Sequence, residues 1–75
     1  MKDLIENIAC SLVTNPDEVK VTETKNERTT ILELSVAPED MGKIIGKQGR
    51  IARSIRTVLK AYATKNKEKA SLDIV

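Results

Sequence analysis

From Met41 to Tyr62 the sequence carries apolar residues at helical spacing, and Gly46-Lys47-Gln48-Gly49 breaks that pattern in the middle. Glycine populates backbone conformations closed to other residues, so two of them three apart permit a tight turn where a helix would otherwise continue. Two stretches that would join are therefore folded against each other in a helix-turn-helix corner. The first is short, running through Met41, Ile44 and Ile45 and stopping at Gly46. Pro38 followed by Glu39 and Asp40 suits its start, because proline fits a first turn and carboxylates complement the positive end of the helix dipole. The second, over about residues 49–64, aligns Ile51, Ile55, Val58, Leu59 and Tyr62 at 100° per residue, with Arg53, Arg56 and Lys60 nearly opposite.

The segments around the corner supply the rest of a fold. Leu4, Ile5, Ile8, Ala9 and Leu12 recur at helical spacing and predict a helix over about residues 2–13, ended by Asn15-Pro16. Val19 and Val21 then alternate with Lys20 and Thr22 as in a strand. Asn26-Glu27-Arg28 reads as a polar turn, after which Leu32, Leu34 and Val36 point one way and Ile31, Glu33 and Ser35 the other. Beyond a polar loop from Thr64 to Lys69, Ala70, Leu72 and Ile74 alternate in a closing strand. The order is αββααβ, and the expected class is α+β: a three-stranded mixed sheet covered on one face by three helices. The first two strands pair antiparallel. The last returns through two helices and lies parallel beside the second, at a sheet edge.

With 75 residues there is room for one domain, taken as residues 1–75. Apolar residues make up 40% and charged residues 32%, enough apolar surface for a folded chain. No apolar run approaches the ~20 residues of a membrane span, and the N-terminus lacks the pattern of a secretory signal, so a cytoplasmic location is expected. Cys10 is the only cysteine and histidine is absent, which excludes an internal disulfide and leaves no plausible zinc site. Cys10 itself is expected to be buried as a small apolar residue.

The net charge of +2 conceals a strong asymmetry. Residues 1–40 hold nine acidic and four basic side chains, for −5, whereas residues 41–67 hold eight basic and no acidic ones, for +8. Residues 68–75 add −1. A basic stretch of this kind raises the local potential toward polyanions. Catalysis is excluded on chemistry: there is no histidine, no nucleophile beside a base, and the carboxylates lie away from the basic segment. A nucleotide-binding P-loop is excluded on spacing, since only three residues separate Gly42 from Gly46 and Gln48 stands where a hydroxyl must hold magnesium. No cofactor is implied.

Ile44-Ile45-Gly46-Lys47-Gln48-Gly49-Arg50-Ile51 resembles the (V/I)-I-G-x-x-G-x-x-I core of KH domains, offset by one at its last apolar position, and the element order is similar to the type II version. From Asn15-Pro16-Asp17-Glu18-Val19 through Val36-Ala37-Pro38-Glu39-Asp40 to Leu72-Asp73-Ile74-Val75, the whole chain resembles the small bacterial KhpA-like (YlqC) family. The resemblance implies single-stranded RNA binding, a role as an RNA chaperone or post-transcriptional regulator, and self-association as a homodimer or pairing with a larger KhpB-like KH protein.

The chemistry of the loop agrees. KH loops clamp four backbone nucleotides, and glycines let a phosphodiester approach closer than a Cβ permits. Gly49 opens a helix whose free N–H groups and dipole favour a phosphate. Lys47 and Arg50 add charge, Lys43 and Arg53 extend the same track, and Gln48 offers an amide to phosphate, sugar or water. The resemblance places bases in an apolar groove, for which Ile45 and Ile51 are the expected residues; periodicity alone leaves open which of Ile44 and Ile45 turns outward. Tyr62 is the only aromatic residue, so recognition cannot rest on aromatic stacking platforms. Ala52, Leu59 and Ala63, flanking the stripe of the last helix, are the expected self-association surface. The competing reading is a protein-interaction adaptor with a KH fold and little RNA binding of its own.

Overall fold

The computed structural model describes residues 1–75, and its N-terminal apolar repeat forms helix α1 (Lys2–Leu12). Ile5 and Ala9 face inward and are fully buried, while Ile8 and Leu12 are half-buried beside them. Cys10 is exposed, contrary to the expectation from its residue type. At 100° per residue it sits about 100° beyond Ala9, past the edge of the buried stripe.

A 3-10 turn at Pro16–Glu18 leads into β1 (Lys20–Lys25), which pairs antiparallel with β2 (Thr29–Ser35) in a register that sets Val21 opposite Leu34. Residues 26–28 form the turn, closed by the Asn26 N–H donating to the Thr29 carbonyl at 2.8 Å. On β2 the alternation expected from sequence is realised: Thr30, Leu32 and Leu34, with Val36 beyond, are buried. Strand β3 (Lys69–Ile74) lies parallel to β2 with Leu72 beside Leu32. The sheet order is β1-β2-β3, so β3 is an edge, and the crossover through two helices sets it parallel to β2.

Between β2 and β3 the chain makes a 3-10 turn at Pro38–Asp40, the short helix α2 (Met41–Ile45), a second tight turn at Lys47–Gly49, and helix α3 (Arg50–Lys65). α3 meets the sheet through Ala52, Ile55, Leu59 and Ala63, all at most 4% exposed, whereas Val58 and Tyr62 are nearly half exposed. The helix is thus rotated by about 60° from the orientation its large apolar residues suggest. Alanines at the contact let helix and sheet approach closely, and that packing decides the facing. It also removes Ala52, Leu59 and Ala63 as a self-association surface, because the core already covers them.

α3 ends in a Schellman turn. The Glu68 N–H donates to the Ala63 carbonyl at 2.8 Å and the Lys67 N–H to the Thr64 carbonyl at 3.0 Å. Lys67 occupies the left-handed position of this turn, with φ 58°, where glycine is the usual residue.

Candidate nucleic-acid interface

The two glycines of the corner perform different tasks. Gly46 has φ 74° and ψ 177°, a region open essentially to glycine alone, and its α-carbon lies against the Ile51 side chain with no space for a Cβ. Gly49, with φ 75° and ψ 13°, is left-handed too, yet a Cβ there would meet nothing within 4 Å. Gly46 is therefore needed to close the corner, and Gly49 leaves the start of α3 open to an approaching ligand. Gln48 between them is also left-handed, at φ 57°, and exposed, as is Lys47. No side chain caps α3, so the loop itself opens the helix.

Around the loop, Ile44 is fully buried in the core and Ile45 is 39% exposed, which resolves the choice between them: Ile45 turns outward. Ile51 does not join it there. Its side chain packs against the core and borders a cavity of about 330 Å3 between α1 and α3, together with Ile8, Leu12, Arg50 and Val58. Arg50 and Arg53 are both exposed, Arg50 on the α1 side and Arg53 about 60° from Arg56 around the helix. Arg56 reaches the sheet edge, its Nε donating to the Leu72 carbonyl at 3.2 Å. Lys43 is engaged, forming an ion pair with Asp40 at 3.6 Å and a hydrogen bond to the Thr14 hydroxyl.

Asp40 was legible from sequence only as a helix-start charge, and it does more. Its carboxylate is fully buried and accepts the backbone N–H of Thr14 at 3.1 Å and of Asn15 at 3.0 Å, with the Asn15 side-chain amide at 3.1 Å. Burial pushes its pKa up. The Thr14 and Asn15 N–H bonds, the Asn15 amide and the Lys43 charge outweigh that and hold it below the ordinary carboxylate value. The segment after α1 is thereby tied to the turn that starts α2, six residues before Gly46. No local pattern joins Thr14 to a carboxylate 26 residues later, so nothing in the sequence signals this clamp.

A short helix, an exposed GxxG loop and a long helix, set on a mixed sheet in αββααβ order, define a KH domain of the type II arrangement. The family described as KhpA/KhpB, KH domain, matches residues 2–74, and the chain belongs to that family, which is not one of enzymes. It is 60% identical over 75 residues to the RNA-binding protein KhpA of Clostridium acetobutylicum and 57% identical to that of Clostridium perfringens, covering the full length of both. The RNA-binding protein KhpA of Aquifex aeolicus is 48% identical over 75 residues, all of this chain and 95% of that protein. No helix is long and apolar enough to cross a membrane.

Proposed function

We propose that the chain binds single-stranded RNA, holding the sugar-phosphate backbone at Gly46–Gly49 and laying bases beside Ile45. The observation that carries this is Gly49: an open left-handed glycine at the uncapped start of α3, in a 27-residue segment with eight cations and no acid. A phosphate there meets backbone N–H groups, the positive end of a 16-residue helix, and the side chains of Lys47 and Arg50. The relatives named as RNA-binding proteins support the same reading. Gln48 supplies a neutral donor at the loop tip, and Arg53 extends the cationic track. Lys43 and Ile51 serve the site from beneath, Lys43 through Asp40 and Ile51 through Gly46.

One KH module with no aromatic platform binds weakly, so pairing of modules suits it: two loops on one strand gain affinity through effective concentration. Self-association is carried by the exposed Val58 and Tyr62, next to the open cavity between α1 and α3, and the same face fits a KhpB-like KH protein. Permissive contacts of this type suit an RNA chaperone or post-transcriptional regulator in the cytoplasm.

The test is the double variant Lys47→Asp with Gln48→Asp. Both positions are exposed, and aspartate tolerates the left-handed backbone at 48. Stability should change by no more than about 0.5 kcal/mol, while two carboxylates face the phosphates and RNA binding is lost. A variant with native circular dichroism and undiminished RNA affinity overturns the loop as the site. Wild-type protein that forms a stable protein complex yet recovers no RNA on crosslinking in cells points to the adaptor instead.

A further inference from the structure

Three cavities lie end to end along the seam between α3 and β3, and they share walls. The first, of about 220 Å3, is bordered by Arg56, Lys60 and Ala70. The next, of about 330 Å3, shares Lys60 and Ala70 with it and adds Thr64, Glu68 and Lys69. The last, of about 600 Å3, shares Thr64, Glu68 and Lys69 and opens onto Lys25, Arg28 and Lys67. Together they form one furrow leading away from the loop and ending at the junction of the β1–β2 turn with the α3–β3 turn.

The far end is entirely polar, with four cations from three segments, Lys25, Arg28, Lys67 and Lys69, against Glu27 and Glu68. Glu68 pairs with Lys25 at 3.3 Å, so Arg28, Lys67 and Lys69 have no acidic partner. The negative end of the α3 dipole would account for a cation in the last turn, and Lys65 already provides one. It does not account for a lysine in the left-handed position of the Schellman turn, where glycine avoids the steric penalty. Nor does it account for Arg28, which comes from the β1–β2 turn. Side-chain charge has been placed at 67 against backbone preference.

We infer that the far end of this furrow is a second phosphate-binding station, with Lys67, Lys69 and Arg28 holding the backbone of an RNA strand that continues past the loop along α3. α3 is about 24 Å long, or roughly seven nucleotides of stacked strand at ~3.4 Å each. A strand of four nucleotides held at Gly46–Gly49 ends short of it, and a strand of twelve reaches it. This inference rests on RNA binding at the loop, and the experiment separates the two.

Amide chemical shifts are followed while a uridine tetramer and a uridine dodecamer are titrated into the full chain. The expected result is that Lys47 and Gly49 respond to both, whereas Arg28, Lys67 and Lys69 respond to the dodecamer alone. Lys67→Gly, which relieves the backbone while removing the charge, should reduce the slope of log affinity against log salt for the dodecamer by ~0.7, the loss of one single-strand phosphate contact. Lys67→Ala should reduce it equally despite its different backbone preference. Response at Gly49 with none at Lys67, or an unchanged slope in both variants, overturns the second station and leaves the loop in place. No response at either end overturns the loop reading and this one with it.

Discussion

The Ile51 side chain occupies the space a Cβ on Gly46 would need: such an atom would lie 2.5 Å from Ile51 Cγ1 and 2.8 Å from both its Cβ and Cδ1. Two of these atoms belong to the stem of a β-branched side chain at the start of a helix, which has little freedom to move aside. The corner between α2 and α3 is thus closed by a glycine-to-isoleucine contact five residues apart.

Gly46→Ala should accordingly be far more damaging than Gly49→Ala. At 46 the substitution combines overpacking, about 1–3 kcal/mol, with a backbone region that alanine avoids, about 1–3 kcal/mol. The melting temperature should fall by on the order of 10 °C or more for a domain of this size. At 49 the space is open and only the left-handed backbone opposes alanine, about 1–2 kcal/mol. Thermal melts of the two variants side by side check the ranking; equal losses would mean that the Ile51 contact does not constrain the corner.

The features legible in the sequence were those with a local cause. β2 alternates because one face is buried, and the GxxG interruption marks a corner wherever it stands between two helical repeats. The facing of α3 was not legible, because Val58 and Tyr62 carry more apolar area than Ala52 and Ala63, while close approach to the sheet rewards the smaller pair. Residue type misled at Cys10, where angular position on α1 decides exposure. The separate roles of Gly46 and Gly49 depend on which one Ile51 packs against, and the Asp40 clamp depends on two distant segments meeting, so neither has a local sequence signal.

Asp40→Asn tests the clamp through pH. The folded carboxyl titrates below its ordinary value of 3.8, so its contribution to stability is fully present above that pH and is lost as pH falls through the lower, folded value. At neutral pH the variant should melt below wild type, because an amide cannot accept both backbone N–H bonds with a charged oxygen pair. The gap should narrow as the pH is taken below about 4. Melting curves at neutral and acid pH measure this, and a gap that stays constant would show that ionised Asp40 is not what holds Thr14 and Asn15.

At position 67 two substitutions that remove the same charge should move stability apart. Lys67→Gly and Lys67→Ala lose any favourable interaction with the α3 dipole equally. Glycine then adopts φ 58° freely, while alanine retains the penalty of about 1–2 kcal/mol. The glycine variant should melt above the alanine variant by at least about 4–8 °C. Coincident melts would remove the argument that lysine is held here against backbone preference.

Self-association can be separated from the core on a single helix. Val58 is 46% exposed and Ala63 1% exposed, although they lie little more than one turn apart on α3. Val58→Asp places a charge in water in the monomer, and valine and aspartate have similar helix propensity, so stability should shift by no more than about 0.5 kcal/mol. In a dimer joined through Val58 and Tyr62 the same carboxylate would face its own copy across an apolar contact, and association should be lost. Ala63→Asp buries the charge between α3 and the sheet without a partner and should unfold the chain. Sedimentation at tens of micromolar, an order-of-magnitude choice suited to weak contacts, reads the first effect, and circular dichroism the second. A Val58→Asp variant that sediments as a dimer alongside dimeric wild type would move the interface off this face, and a monomeric wild type would remove self-association altogether.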